Sequence, residues 1–141
     1  MLTTLLVLNA LWFFGGFHTF YIRRKIFAKI LVPKEERDTT AFGVVVETGR
    51  FMGGFNFALS IFNLCLFLNI AGLETNAQLS LMLIFNALAH GSQFFGNVPM
   101  ALKNRKGGGL WNVFTGVMLQ IFIIDFVLMS LNATLAFMLL L

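Results

Sequence analysis

From Ala41 to Ile70 the chain is apolar for the length of a membrane span, which needs roughly 20 residues of helix. Near its start the same stretch carries Glu47 and Arg50, with Gly49, Gly53 and Gly54 beside them. An ionisable residue inside a span costs about a few kcal/mol unless it faces protein, water or a partner. Glu47 and Arg50 stand three positions apart, on adjacent turns of one helical face. This pairing is the clearest pointer to a site in the sequence.

Composition decides the solvent. A chain of 141 residues with 11% charged residues and a mean hydropathy of +0.85 has more apolar surface than a soluble domain of that size can bury. The net charge is +4, yet the basic residues sit between apolar stretches, as membrane orientation requires, and no polar, stacking-rich surface for nucleic acid is present. Cys65 stands alone, so it forms no internal disulfide and brings no second thiolate to a metal. Met1 to Phe20 lacks a basic leader and a small-residue cleavage site, and reads as a retained first span.

The expected fold is all-α: a polytopic membrane protein, a four-transmembrane-helix antiparallel bundle forming one domain over 1–141. The spans fall at about 2–21, 40–70, 76–98 and 110–140, with basic loops at 22–39 and 99–109. The run Arg23 to Val32 reads as a short amphipathic helix at the headgroups, stopped by Pro33. Asp38, Thr39 or Thr40 caps the second span, and Gly72 ends it. Thr75 to Gln78 has the spacing of a capping box. Pro99 is expected to stop the third span, and Gly107 to Gly109 to loosen the next loop. Trp111 is placed to anchor the fourth span at the interface.

Nine of the ten Lys and Arg residues fall in the two basic loops, so both loops are expected in the cytoplasm and both termini on the other side. The location is then an integral membrane, either a bacterial inner membrane or a eukaryotic endomembrane. This topology gathers polar residues in one layer. His18, Glu47, Arg50, His90, Gln93 and Asn97 are all expected in the cytoplasmic half, whereas the outer halves of spans one and four read as aliphatic and aromatic. Asp125 lies near the midplane, and reads as a protonated, hydrogen-bonded acid or as a proton or cation site. Asn132-Ala133-Thr134 matches a glycosylation sequon but falls within a span.

One reading of the polar layer is structural: Glu47 and Arg50 pair, and His90 and Gln93 satisfy neighbours. Another is a small cavity for a polar head on a lipophilic molecule, with Arg50 on an anionic group, Glu47 orienting it, and His90 with Gln93 bonding or moving a proton. No cofactor or metal is expected, with haem between His18 and His90 as the alternative. Gly49 and Gly53 permit close helix packing or homo-oligomerisation. No nucleophile motif, phosphate loop, dinucleotide fingerprint or zinc spacing appears.

Two resemblances accompany this reading. The long basic loop followed by Gly49 and Gly53 resembles a family of small bacterial four-helix membrane proteins of unknown function, which look distantly like the eicosanoid and glutathione (MAPEG) membrane enzymes. Thr48 and Met52 stand where that family carries Gln and Asn, and the enzymes' arginine- and asparagine-containing motif is absent. His18-Thr19-Phe20, Thr40-Ala41-Phe42-Gly43, Ala89-His90 and Ser92-Gln93 are similar to the ergosterol-biosynthesis scaffold family, which has an acid in place of Gln93. That resemblance implies a non-enzymatic tether for lipid enzymes. The leading expectation is a non-catalytic accessory or scaffold protein, binding membrane lipid, other integral membrane proteins or its own copy through the polar layer. The alternative is an enzyme or carrier for a lipophilic substrate with a polar head.

Overall fold

The computed structural model describes residues 1–70 and 72–141, and those residues are helical with no strand among them. Helix α1 (Leu2–Phe17) continues through one π-helical turn, His18–Ile22. Helix α2 is Arg24–Leu31, α3 is Thr40–Phe67, α4 is Asn76–Arg105 and α5 is Gly116–Leu140. Three segments, Leu2–Ile22, Thr40–Phe67 and Gly116–Leu140, are long and apolar enough to cross a membrane.

The helices are built inside out relative to a soluble bundle. On α3 the buried residues are Val46, Gly49, Gly53, Asn56, Ser60 and Asn63, alternating steps of three and four. That period keeps one seam toward the neighbours. The seam is small and polar, while Phe51 and Phe55 on the other side are each 74% exposed. Helices α4 and α5 bury mixed seams: Ser80, Asn86 and His90 beside Leu83 on one, and Asp125 and Asn132 beside Leu128 and Leu135 on the other, where the leucines pack with Leu5. Between helices in lipid there is no hydrophobic gain, so small residues and interhelical hydrogen bonds hold the contact.

Cross-helix bonds fix the directions. Ser60 Oγ donates to the carbonyl of Ala10, and Ser80 Oγ to that of Ala136, both at 2.9 Å. Contacts between α1 and α3 run in opposite order, Ala10 beside Ser60 and Phe20 beside Gly49, and Ser80 near the start of α4 meets Ala136 near the end of α5, so both pairs are antiparallel. The glycine ridge of α3 makes the first of these packings possible. A Cβ on Gly49 would lie 2.6 Å from the Phe20 carbonyl oxygen, and one on Gly53 would lie 2.7 Å from the Tyr21 nitrogen. Gly54 faces open space.

The caps are specific. Thr39 Oγ1 accepts from the Phe42 N–H, and Thr75 with Gln78 forms a complete capping box. Helix α2 buries Phe27 and Ala28, and the Arg37 guanidinium closes its last turn by donating to the carbonyls of Lys29 and Val32. Helix α3 ends at Phe67 rather than Ile70, and the left-handed residue nearest its end is Asn69 at φ +50°, so Gly72, at φ +61°, shapes the following loop and does not stop the helix.

Three expectations about the second half are corrected. Helix α4 does not stop at Pro99 but runs on to Arg105. The proline removes one backbone donor, and burial of Met100 and Ala101 against Val113 holds the extra turn. The following loop is pinned rather than loose: Asn104 donates to the carbonyls of Gly108 and Trp111 and accepts from the Val113 N–H. Helix α5 begins at Gly116, so Trp111 and Asn112 lie in that loop and not in the helix.

Candidate functional site

A chain of buried polar side chains ties α1, α4 and α5 together. Asn9 and Asn132 exchange amide bonds, at 2.9 and 3.0 Å. His90 Nε2 lies 3.2 Å from Asn9 Oδ1, and His90 Nδ1 lies 2.9 Å from Asp125 Oδ1. The Trp12 indole N–H donates to the same Asp125 oxygen at 2.8 Å. Phe13 stacks on the imidazole with centroids 4.5 Å apart. Asn9, His90 and Asn132 are fully buried, and Asp125 is 2% exposed.

The bonding pattern fixes where protons sit. Asn132 Nδ2 also donates to the Leu128 carbonyl, so its amide has one orientation. Asn9 must then present its oxygen to His90, and that oxygen can only accept. His90 Nε2 therefore carries a hydrogen. One further proton lies between Nδ1 and Asp125 Oδ1, which makes the pair neutral overall whichever atom holds it. The hydrogen-bonded run from Asp125 through His90 ends at the Asn9–Asn132 amide pair.

Asp125 has a second oxygen. Among the described residues no hydrogen bond reaches Oδ2, yet no unpaired side-chain polar atom is sealed from space. Oδ2 therefore opens on the cavity that Asp125 lines. This cavity holds about 180 Å³, and Trp12, Thr19, Asn56, Gln93 and Gln120 also contribute to its wall. Gln93 makes no side-chain hydrogen bond among the described residues, although it is half-buried.

Asn56 and Gln93 belong to a second space as well. Between α3 and α4 runs a groove of about 1030 Å³, lined by apolar side chains such as Leu59, Phe62, Leu81, Phe85 and Leu88. Its polar groups, Asn56, Ser92 and Gln93, lie together at one end. Beside Phe62 and Phe85 of the groove wall, Asn63 and Asn86 exchange amide bonds at 2.8 and 3.0 Å and join the two helices. In a double-mutant cycle with Asn63→Leu and Asn86→Leu, thermal unfolding in detergent is expected to give a coupling of about 0.6–1.7 kcal/mol, the range for hydrogen bonds between membrane helices. A coupling of zero would mean that the two amides do not face each other.

The residues that the sequence groups in one layer are divided by the structure. His90 and Asp125 are in direct contact, and Gln93 shares the cavity with Asp125. Asn97 lies a turn further along α4, accepting from the Trp111 indole at 3.2 Å and donating to the Gln93 carbonyl. Glu47 and Arg50 pair on the exposed side of α3, where Glu47 also meets Arg24 at 3.4 Å. His18 is exposed at the start of the π-helical turn. Both ring nitrogens of His90 are engaged, so the haem alternative lacks a free ligand there. No group of three or more His, Cys, Asp or Glu side chains placed to hold a metal occurs among the described residues.

Asn9, Trp12 and Asn132 are absent from the sequence-based site, although Asn9 and Asn132 interrupt the apolar first and last helices. The signal available was an amide within each of two apolar spans, since a polar side chain there is expected to face a neighbouring helix. The chain matches no protein-family model, no curated protein and no solved structure.

Proposed function

We propose that the protein is an integral membrane protein that crosses the bilayer four times and binds a lipophilic molecule in the groove between α3 and α4. The apolar body would lie along the groove, and the head would meet Asn56, Ser92 and Gln93. The observation that carries this reading is the unpaired Gln93 amide at the polar end of an otherwise apolar groove. A polar group without a partner in lipid is unfavourable, and a ligand head or water completes it. An apolar cleft with a few polar groups at one place is also the usual form of a small-molecule site.

The fourth span is α4. Its mean hydropathy is reduced by Ser80, Asn86 and His90, but these are buried, while Leu81, Phe85, Leu88 and Phe95 face outward. The remaining excess of basic residues in the two connecting loops supports cytoplasmic loops and non-cytoplasmic termini. No catalytic step is assigned, because His90 is bonded at both nitrogens and reaches no substrate position.

Native mass spectrometry of the gently purified protein tests the proposal. One lipophilic species is expected at higher occupancy than in the surrounding membrane, and Ala89→Trp, which fills the groove, is expected to release it. Retention of only average membrane lipid, with a stoichiometric protein partner instead, would favour the scaffold role.

A further inference from the structure

We infer that the head group taken by this site is a hydrogen-bond donor, a hydroxyl or a protonated amine, received by Oδ2 of Asp125. The inference rests on the groove reading above and names its ligand class. Oδ1 of Asp125 already accepts from Trp12 and faces the His90 ring. The shared proton of that pair is placed between Nδ1 and Oδ1, so Oδ2 is an acceptor without a donor. It opens on the cavity that shares the Asn56 and Gln93 side chains with the groove.

The rest of the wall sharpens the choice. Thr19, Asn56, Gln93 and Gln120 are uncharged, and no Lys or Arg lines either space. Asn56 donates one of its two amide hydrogens to the Met52 carbonyl, and its oxygen lies on the Gly16 side, where it is a further acceptor. Arg50, the residue expected to hold an anionic head, is paired with Glu47 on the exposed side of α3. A carboxylate or phosphate entering this cavity would meet the Asp125 oxygen with no cation to offset it. A hydroxyl or ammonium would complete Oδ2 and leave Gln93 to satisfy the remaining donor or acceptor.

Trp12 supplies the readout, because its indole is bonded to the same carboxyl group. The protein has two tryptophans, so Trp111→Phe leaves Trp12 as the single reporter. Hexadecanol, hexadecylamine and hexadecanoate are titrated into this variant in detergent, and Trp12 fluorescence is followed. The groove runs along α4 from Leu81 to Gln93, roughly 18 Å, which suits such a tail. The alcohol and the amine are expected to bind at least about tenfold more tightly than the carboxylate. Asp125→Asn can keep its carbonyl toward Trp12 and a His90 that takes up a proton at Nδ1, and turn its N–H toward the cavity, so it is expected to abolish or reverse that preference. Equal or tighter binding of hexadecanoate by the Trp111→Phe protein overturns the inference and leaves the groove reading standing. Binding of none of the three overturns both. If Asp125→Asn does not fold, the order of affinities with Asp125 present decides alone.

Discussion

Replacing His90 with leucine is expected to lower the stability of the folded protein by about 3–5 kcal/mol, the range for removing one partner of a buried ionisable pair. The side chain is fully buried and bonded on both sides, to Asp125 and to Asn9. Leucine has a comparable bulk but leaves Asp125 Oδ1 with only the Trp12 donor and leaves Asn9 Oδ1 with only Asn132. It also removes the ring that stacks on Phe13 at 4.5 Å. The loss should be read from helicity during thermal or denaturant unfolding in detergent. The double variant His90→Leu/Asp125→Leu is expected to be more stable than His90→Leu alone, because an apolar pair has no orphaned group. Trp12→Phe added to the double variant should recover more, since the indole N–H then no longer lacks an acceptor. If His90→Leu shifts stability by less than about 0.5 kcal/mol, within the usual effect of a surface change, the network does not hold the helices together.

Much of the local structure was legible before any coordinates. The capping box at Thr75, the cap at Thr39 and the amphipathic α2 follow from short-range chemistry that the sequence states directly, whereas α3 ends at Phe67, well before the expected stop at Gly72. The limits of the first long helix and the start of the second were legible because apolar length beside charged loops sets them, but the second ends at Phe67 rather than Ile70, where no charged residue marks the stop. Pro99 and the Gly107 to Gly109 run were read as local breakers, but burial beside Val113 and the bonds of Asn104 override them. Those contacts join residues far apart along a loop and leave no periodic trace.

The site was harder to read for a different reason. Sorting polar residues by depth brought His90 and Gln93 together, and it also drew in Glu47, Arg50 and His18, which are exposed. Depth is set by distance along the chain, whereas contact is set by helical face. Sorting by face would have put Asn56, Ser60 and Asn63 on one seam, and Ser80, Asn86 and His90 on the next. In a lipid-embedded helix the seam is the polar side, so apolar periodicity, the usual guide, points away from the core. Partner choice across seams, such as Asn9 with Asn132 rather than with Asn63, is a property of the packed bundle and has no one-dimensional signature.

Replacing Gly53 with valine is expected to destabilise the protein by about 3 kcal/mol, at the upper end for overpacking. The reason is the nature of the obstacle. A side chain at this position meets the Tyr21 nitrogen at 2.7 Å and its Cα at 3.0 Å, and backbone cannot swing aside as a long side chain can. Tyr21 sits in the π-helical turn that leads to α2, so the whole connection would have to move away from α3. Gly49→Val should behave likewise through the Phe20 carbonyl, whereas Gly54→Val should change little, because nothing lies within 4 Å of the added Cβ. Valine is intrinsically the better helix residue of the two, so a loss at Gly53 together with none at Gly54 isolates packing from propensity. The comparison also decides what the Gly-x-x-x-Gly spacing is for. The ridge is covered by the chain's own first helix, so Gly53→Val should lower the unfolding midpoint without changing the molecular mass in detergent. A variant that keeps its midpoint but falls from dimer to monomer would place a second copy on that ridge, and the first helix elsewhere.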